Sequence, residues 1–464
     1  MMKIAYKRLI DLGLAVKETI HGSRKGIEDT AVSLLPQIAL LFANFVIAIL
    51  IARGLGPDGM GKYALILSVS GLATALSDLG IGQTAIRFAA RAAAIGDTEQ
   101  QHSVLRWAFR CRLLLTIFII SIVYLLSPTI ANKLWHDSSL IILLRMSLLT
   151  CIFAAISAIP VIYFQSIKRF KMNAAISIGQ AMFLLVTVLF IAIADKWSLK
   201  MLVALNIIAT AMGSLFFLAF IPKSALFSKN DAGGLFTANS KLVRMPGKRT
   251  EDWLSSDDLG ISSFAFYMLL SSVFVALIMR MDLWLMGIYL PKDQIGIYAV
   301  ASRLFIPLAM ALTALNTALW PRSSSLSDVK SAFRLLRSIF RLSLIAAAGG
   351  VIYSLIAPLF MPCFFGADYE SGILVAQILC MRYCFAILLC PLGVIGYSFG
   401  FVKSYWWVNL IQLIAVFSIN IVLLPRVGII GAAIALVINE IIGMIIIGSM
   451  LRSKIVSLRG ATEW

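Results

Sequence analysis

Leu55-Gly56-Pro57-Asp58-Gly59-Met60-Gly61-Lys62-Tyr63-Ala64 returns as Leu290-Pro291-Lys292-Asp293-Gln294-Ile295-Gly296-Ile297-Tyr298-Ala299. Leu, Asp, Gly, Tyr and Ala recur at a constant offset of 235 residues, and each copy joins two long apolar segments. Self-similarity at a fixed period in so apolar a chain points to a membrane protein built from two similar halves, as in transporters with internal repeats. The working site of such a protein is expected where the halves face each other.

The chain has 464 residues, of which 60% are hydrophobic and 13% charged. A soluble protein carries about 25% charged residues, so the mean hydropathy of +0.94 reports lipid-facing surface and not one large soluble core. A bilayer core about 30 Å thick needs roughly 20 apolar residues per helix. Twelve such spans are predicted: 29–52, 62–80, 111–131, 139–164, 172–194, 199–221, 262–289, 295–320, 338–361, 372–400, 404–424 and 428–451. Pro36, Pro160, Pro307 and Pro391 interrupt spans and free backbone carbonyls there. Trp135, Trp197, Trp320, Trp406 and Trp407 fall near span ends, where indole rings prefer the headgroup zone.

The net charge of +18 does not mark a nucleic-acid binder, because the basic residues sit in short loops between apolar segments. With the N-terminus in the cytoplasm, 29 of the 40 Lys and Arg fall in cytoplasmic segments and 7 on the opposite side. That asymmetry is the positive-inside pattern of a multi-pass protein with both termini cytoplasmic. The organisation read from it is a cytoplasmic N-terminal segment (1–28), a six-helix bundle (29–221), a cytoplasmic linker (222–260), a second bundle (261–452) and a cytoplasmic tail (453–464). Residues 1–28 lack the apolar stretch of a cleavable signal. Because six is even, both halves enter the membrane in the same direction, which makes the repeat a parallel one.

Four cations remain within the spans: Arg145, Arg280, Arg303 and Arg382. Each costs about 2.5–3.5 kcal/mol near the bilayer centre, so each needs a partner or a task. By helix rise they lie roughly 9–15 Å below the outer surface. The clear intramembrane acids are Asp282 and Glu440, which leaves the buried balance positive. A positive, water-accessible cavity suits an anionic headgroup, since guanidinium forks bind phosphate oxygens bidentately. Asp282 is placed either as the neutralising partner of Arg303 or, with Glu440, as an ion-coupling group. Catalysis is poorly supported: His21, His102 and His136 lie outside the spans, and no GxxxxGK[ST] loop is present. Cys111, Cys151, Cys363, Cys380, Cys384 and Cys390 read as small buried hydrophobes, with neither a disulfide nor a metal site expected.

Arg53-Gly54-Leu55-Gly56-Pro57 with Gly61-Lys62-Tyr63-Ala64, then Ser77-Asp78-Leu79-Gly80-Ile81-Gly82 and Arg87, resembles the first two helices of polysaccharide flippases. These are the O-antigen and capsule repeat-unit translocases of the MOP exporter superfamily. Asp282-Leu283-Trp284-Leu285-Met286-Gly287, leading into Gly296-Ile297-Tyr298-Ala299-Val300-Ala301-Ser302-Arg303-Leu304, is similar to that family's seventh and eighth helices. Leu424-Pro425-Arg426-Val427-Gly428-Ile429-Ile430-Gly431-Ala432-Ala433 resembles its junction before the last helix.

The resemblance implies an all-α integral membrane protein of twelve transmembrane helices. Its two six-helix bundles would form a V around a central cationic cavity that works by alternating access. It further implies an oligosaccharide repeat unit on undecaprenyl pyrophosphate as substrate, moved from the cytoplasmic to the periplasmic leaflet of a bacterial inner membrane. Membrane lipids, a glycan polymerase and a chain-length regulator are the other partners such a system involves. No cofactor is expected beyond an H⁺ or Na⁺ gradient. Arg280 and Arg303, helped by Arg145 and Arg382, are expected to draw in the pyrophosphate, with Arg53 and Arg87 at the gates. Two other readings stay open: a cation-coupled multidrug antiporter of the same superfamily, and a non-transporting scaffold of a glycan assembly complex.

Overall fold

The computed structural model describes residues 2–167, 169–222, 261–313, 315, 329–398 and 402–461, and among them no strand occurs. The expected linker, apart from Pro222 at its start, and also Trp320 lie outside the described residues. Ten of the described helices are long and apolar enough to cross a membrane, or eleven if one bent pair counts as a span. One of the ten, Ala39–Asp78, has 40 residues, about 60 Å of straight helix and twice what a bilayer core needs. It breaks at Gly56, where φ is 65° and ψ −179°, a conformation open to a residue without Cβ. The first two predicted spans are therefore the arms of one kinked element, α1 (Met2–Asp78).

The loop expected over 81–110 is instead helical. Helix α2 (Ile81–Ala94) buries Ala85 and Ala89 and exposes Arg87 and Arg91. Helix α3 (Thr98–Pro128) starts well before position 111, capped by the Asp97 carboxylate, which accepts from the Gln100 N–H. Apolarity locates only the lipid-embedded part of a helix, whereas capping decides where it begins. Helices α4 (Leu140–Ser166), α5 (Phe170–Ala194) and α6 (Leu199–Ala219) complete the first half.

The second half opens with α7 (Ile261–Tyr289). The eighth predicted span, 295–320, is not one rod. It is α8 (Lys292–Ala301) and α9 (Ile306–Thr313), bent by 46° about residues 302–305. Pro307 explains the restart: it has no N–H to bond backward, and its fixed φ suits a first helical turn. The break frees backbone carbonyls, and the Tyr353 hydroxyl donates to that of Leu304 at 2.8 Å. Helices α10 (Val329–Ile356), α11 (Ile373–Ser398), α12 (Val402–Val427) and α13 (Ile429–Ala461) follow.

The two halves repeat in packing as well as in sequence. Helix α4 packs on α3 and α6, as α11 packs on α10 and α13, and α1 packs on α5 as α7 packs on α12. Gln180 of α5 lies over Gly213 of α6, and Gln412 of α12 lies over Gly443 of α13.

The halves join at the end that carries the α1 kink and the α7–α8 turn, termed the seam. Arg53 donates from Nε to the Phe364 carbonyl at 2.7 Å and from Nη2 to the Cys363 carbonyl, both at the C-terminus of a short helix, Met361–Phe365. A cation there satisfies carbonyls that the helix leaves open. The Tyr369 hydroxyl donates to the Ala52 carbonyl at 2.9 Å, and Lys292 Nζ to the Trp135 carbonyl at 2.7 Å. Trp135, expected at the headgroups, is 1% exposed and meets Trp284 edge to face across the seam. Cys363 is exposed, unlike the buried Cys151, Cys380, Cys384 and Cys390, and none of the six cysteines is disulfide-bonded.

Candidate functional site

Below the seam, α7, α8, α11 and the broken turn enclose a cavity of about 120 Å³ lined by Arg280, Asp282, Tyr298, Ser302, Arg382 and Tyr383 among others. Arg280 and Asp282 are two positions apart on α7, which turns Arg280 toward the first half and Asp282 into the second. The Arg280 guanidinium lies over Gly71 of α1, where a Cβ would stand 3.0 Å from Nη2. Glycine there lets the guanidinium rest against the opposite helix. No described residue forms a hydrogen bond or salt bridge with Arg280, although its charge is felt by Asp282.

Asp282, 8% exposed, does not neutralise Arg303. Its carboxylate accepts from the Tyr298 hydroxyl at 2.6 Å and from the Leu283 N–H at 2.8 Å, with Arg382 and Arg280 as the nearby cations. The pairing with Arg303 assumed a straight eighth helix. In the bent one Arg303 occupies the broken turn and faces Tyr63 of α1, which itself pairs with Asn206. Its Nε is buried with no hydrogen-bond partner among the described residues.

Arg382, also 8% exposed, lies 3.4 Å from a Glu440 oxygen and 5.3 Å from the Tyr383 ring centre. Tyr383 in turn stacks on Phe305. The cavity thus sets two guanidinium groups, Arg280 and Arg382, against one carboxylate, Asp282, while Glu440, which is not among its lining residues, engages Arg382. Such a surface can hold a multiply charged anion through the unengaged faces of Arg280 and Arg382.

Arg145, Arg53 and Arg87 lie elsewhere. Arg145 donates to Ser127 Oγ at 3.0 Å and sits 4.3 Å over the Tyr124 ring, both on α3, and is not among the cavity's lining residues. Arg53 ties the seam, and Arg87 is exposed on α2. Tyr63, Tyr298 and Tyr383 join the site without being among the sequence's candidate residues, although Tyr63 and Tyr298 are equivalent positions of the repeat that opens the sequence. Their recurrence was the available signal: one faces Arg303, the other holds Asp282.

A sequence profile described as polysaccharide biosynthesis protein matches residues 27–327. Among curated proteins none matches the sequence. Solved structures share the fold at low identity. An inward-facing multidrug resistance MATE family transporter of the MOP superfamily aligns with a TM-score of 0.70 at 13% identity, over 91% of this chain and 96% of its own. The lipid II flippase MurJ, in an inward closed conformation, aligns at 0.64 and 15% identity, over 90% and 87%. A MOP superfamily transporter from Pyrococcus furiosus, noted for the reverse polarity of its binding pocket, aligns at 0.59 and 14%, over 92% and 95%.

Proposed function

The chain belongs to the family of polysaccharide biosynthesis proteins, and from that premise we propose that it is a flippase for lipid-linked oligosaccharides. Its substrate is an undecaprenyl-pyrophosphate-linked repeat unit, carried from the cytoplasmic to the periplasmic leaflet of a bacterial inner membrane. The observation that carries this reading is the pair of guanidinium groups, Arg280 and Arg382, on one cavity, with Arg280 unpaired among the described residues and reaching across to the first half. An organic cation would meet a net positive surface there; a pyrophosphate meets two forks.

The joined seam corresponds to a state closed on the periplasmic side, since the loop charges put that end outside and both termini in the cytoplasm. Transport then requires the seam contacts to break while the opposite ends close, with each half moving as a packed unit around the cavity. Asp282 and Glu440 are the carboxylates through which an H⁺ or Na⁺ gradient would act. A glycan polymerase and its chain-length regulator would receive the product.

The test is reconstitution in liposomes with a fluorescent pyrophosphate-linked glycan lipid, followed by its appearance in the opposite leaflet. Flipping by the wild type, lost in Arg280→Ala, supports the reading. Efflux of organic cations without glycan movement would replace it with drug antiport, and normal glycan movement in Arg280→Ala would remove Arg280 from the site.

A further inference from the structure

We infer that Glu440 is a built-in competitor for Arg382 that limits how tightly the cavity holds a diphosphate and so assists its release. The inference rests on the anion-site reading above and assigns Glu440 a role in release within it.

The two acids near the cavity are held very differently. Asp282 is fixed by two short hydrogen bonds and is nearly inaccessible. Among the described residues Glu440 is tied only to Arg382, its Oε2 lying 3.4 Å from Nε, and its side chain is 27% exposed. Charge-assisted hydrogen bonds ordinarily close to about 2.7–2.9 Å, and the strong arginine pairs are bidentate. The Arg382–Glu440 contact is neither. It satisfies the buried charge of Arg382 when the cavity is empty, at a strength a better ligand can exceed.

Among the described residues Arg280 has no such competitor. A lone phosphate can therefore occupy Arg280 without disturbing Arg382, and gains one guanidinium. An anion with two phosphoryl groups can span both arginines, and its second group replaces the single long contact with a bidentate one. Displacing Glu440 is thus a cost for the diphosphate alone, which keeps its hold on Arg280 while the exchange at Arg382 takes place. Return of Glu440 to Arg382 then competes with the bound diphosphate and assists its release.

The experiment titrates the purified full-length protein in nanodiscs with inorganic pyrophosphate and with inorganic phosphate. Wild type should prefer pyrophosphate. Glu440→Gln, which keeps size but not charge, should bind pyrophosphate roughly tenfold more tightly, the scale of one hydrogen bond to a charged group. The gain for phosphate should be smaller, so the preference for pyrophosphate widens. Glu440→Asp, whose shorter arm reaches Arg382 less well, should move the same way by less, and serves if the Gln variant folds poorly. Equal gains for both anions, or no gain, would overturn the competitor role. Weaker binding in Glu440→Gln would show that the acid orients Arg382. Wild type that binds neither anion would overturn the anion site itself, and this inference with it.

Discussion

Gly61 and Gly296 hold each other's half of the protein at backbone contact. A Cβ on Gly61 would lie 1.8 Å from the Lys292 carbonyl oxygen, and one on Gly296 would lie 1.9 Å from that of Pro57. Position 57 plus the repeat offset is 292, and 61 plus the same offset is 296, so the two contacts are one contact related by the internal two-fold. The repeated motif is thus the element that meets itself where the halves cross.

Either glycine replaced by Ala should destabilise the closed seam, because backbone cannot swing aside as a side chain can. Overpacking of this kind costs about 1–3 kcal/mol. Thermal unfolding in nanodiscs should show a lower Tm for Gly61→Ala and for Gly296→Ala. The double variant should lose less than the sum, since one separation of the halves relieves both clashes.

Removing seam hydrogen bonds should favour the opposite opening. Arg53→Ala with Tyr369→Phe deletes the donors to residues 363, 364 and 52, each bond contributing about 0.5–1.5 kcal/mol, or somewhat more for the charged donor. Spin labels at the exposed Ser138 and Asp293, one on each half, should report longer and broader distances in that variant. Unchanged distances would mean that the glycine crossing alone holds the seam.

Asp137 makes the seam sensitive to acid. Burial raises its carboxyl's affinity for a proton, but hydrogen bonds from Ser139 and the charges of Lys62 and Lys292 outweigh this and hold it below the ordinary carboxylate value. A depressed carboxyl contributes stability above its unfolded value of about 3.9, and that contribution disappears as pH falls through the folded value. Its ion pair with Lys62, at 3.7 Å and partly exposed, limits the effect to the order of 0.5 kcal/mol. Tm should therefore fall slightly more steeply below pH 4 in the wild type than in Asp137→Asn.

Arg280 depends on Gly71 for its position. Gly71→Ala should leave stability nearly unchanged, because the atom it displaces is the end of a flexible side chain. It should still reduce glycan export by pushing the guanidinium from its rest on α1. Arg280→Ala should abolish export at normal protein level, and Arg280→Lys should restore part of it, as a point charge without the fork. Export assayed in a deletion strain, with protein quantified in parallel, separates these outcomes from misfolding.

Tyr298→Phe should cost about 1–3 kcal/mol, because Asp282 is buried and loses one of its two hydrogen bonds. Chemical denaturation reads the loss, and Asp282→Asn in the same background should recover part of it by removing the unsatisfied charge.

The sequence by itself determined the membrane class, the parallel repeat and the small set of charges that had to be explained. Those rest on local quantities: apolar run length, loop charge, and the cost of an ion at bilayer depth. Tertiary structure decided which of those charges meet. Whether Arg303 pairs with Asp282 or faces Tyr63 depends on a 46° bend about residues 302–305, and whether Arg145 joins the cavity depends on how α4 is rotated against α3. Partners such as Arg382 and Glu440, or Trp135 and Lys292, come from different helices far apart in the chain, and their meeting is fixed by helix tilt and rotation, which hydropathy does not encode.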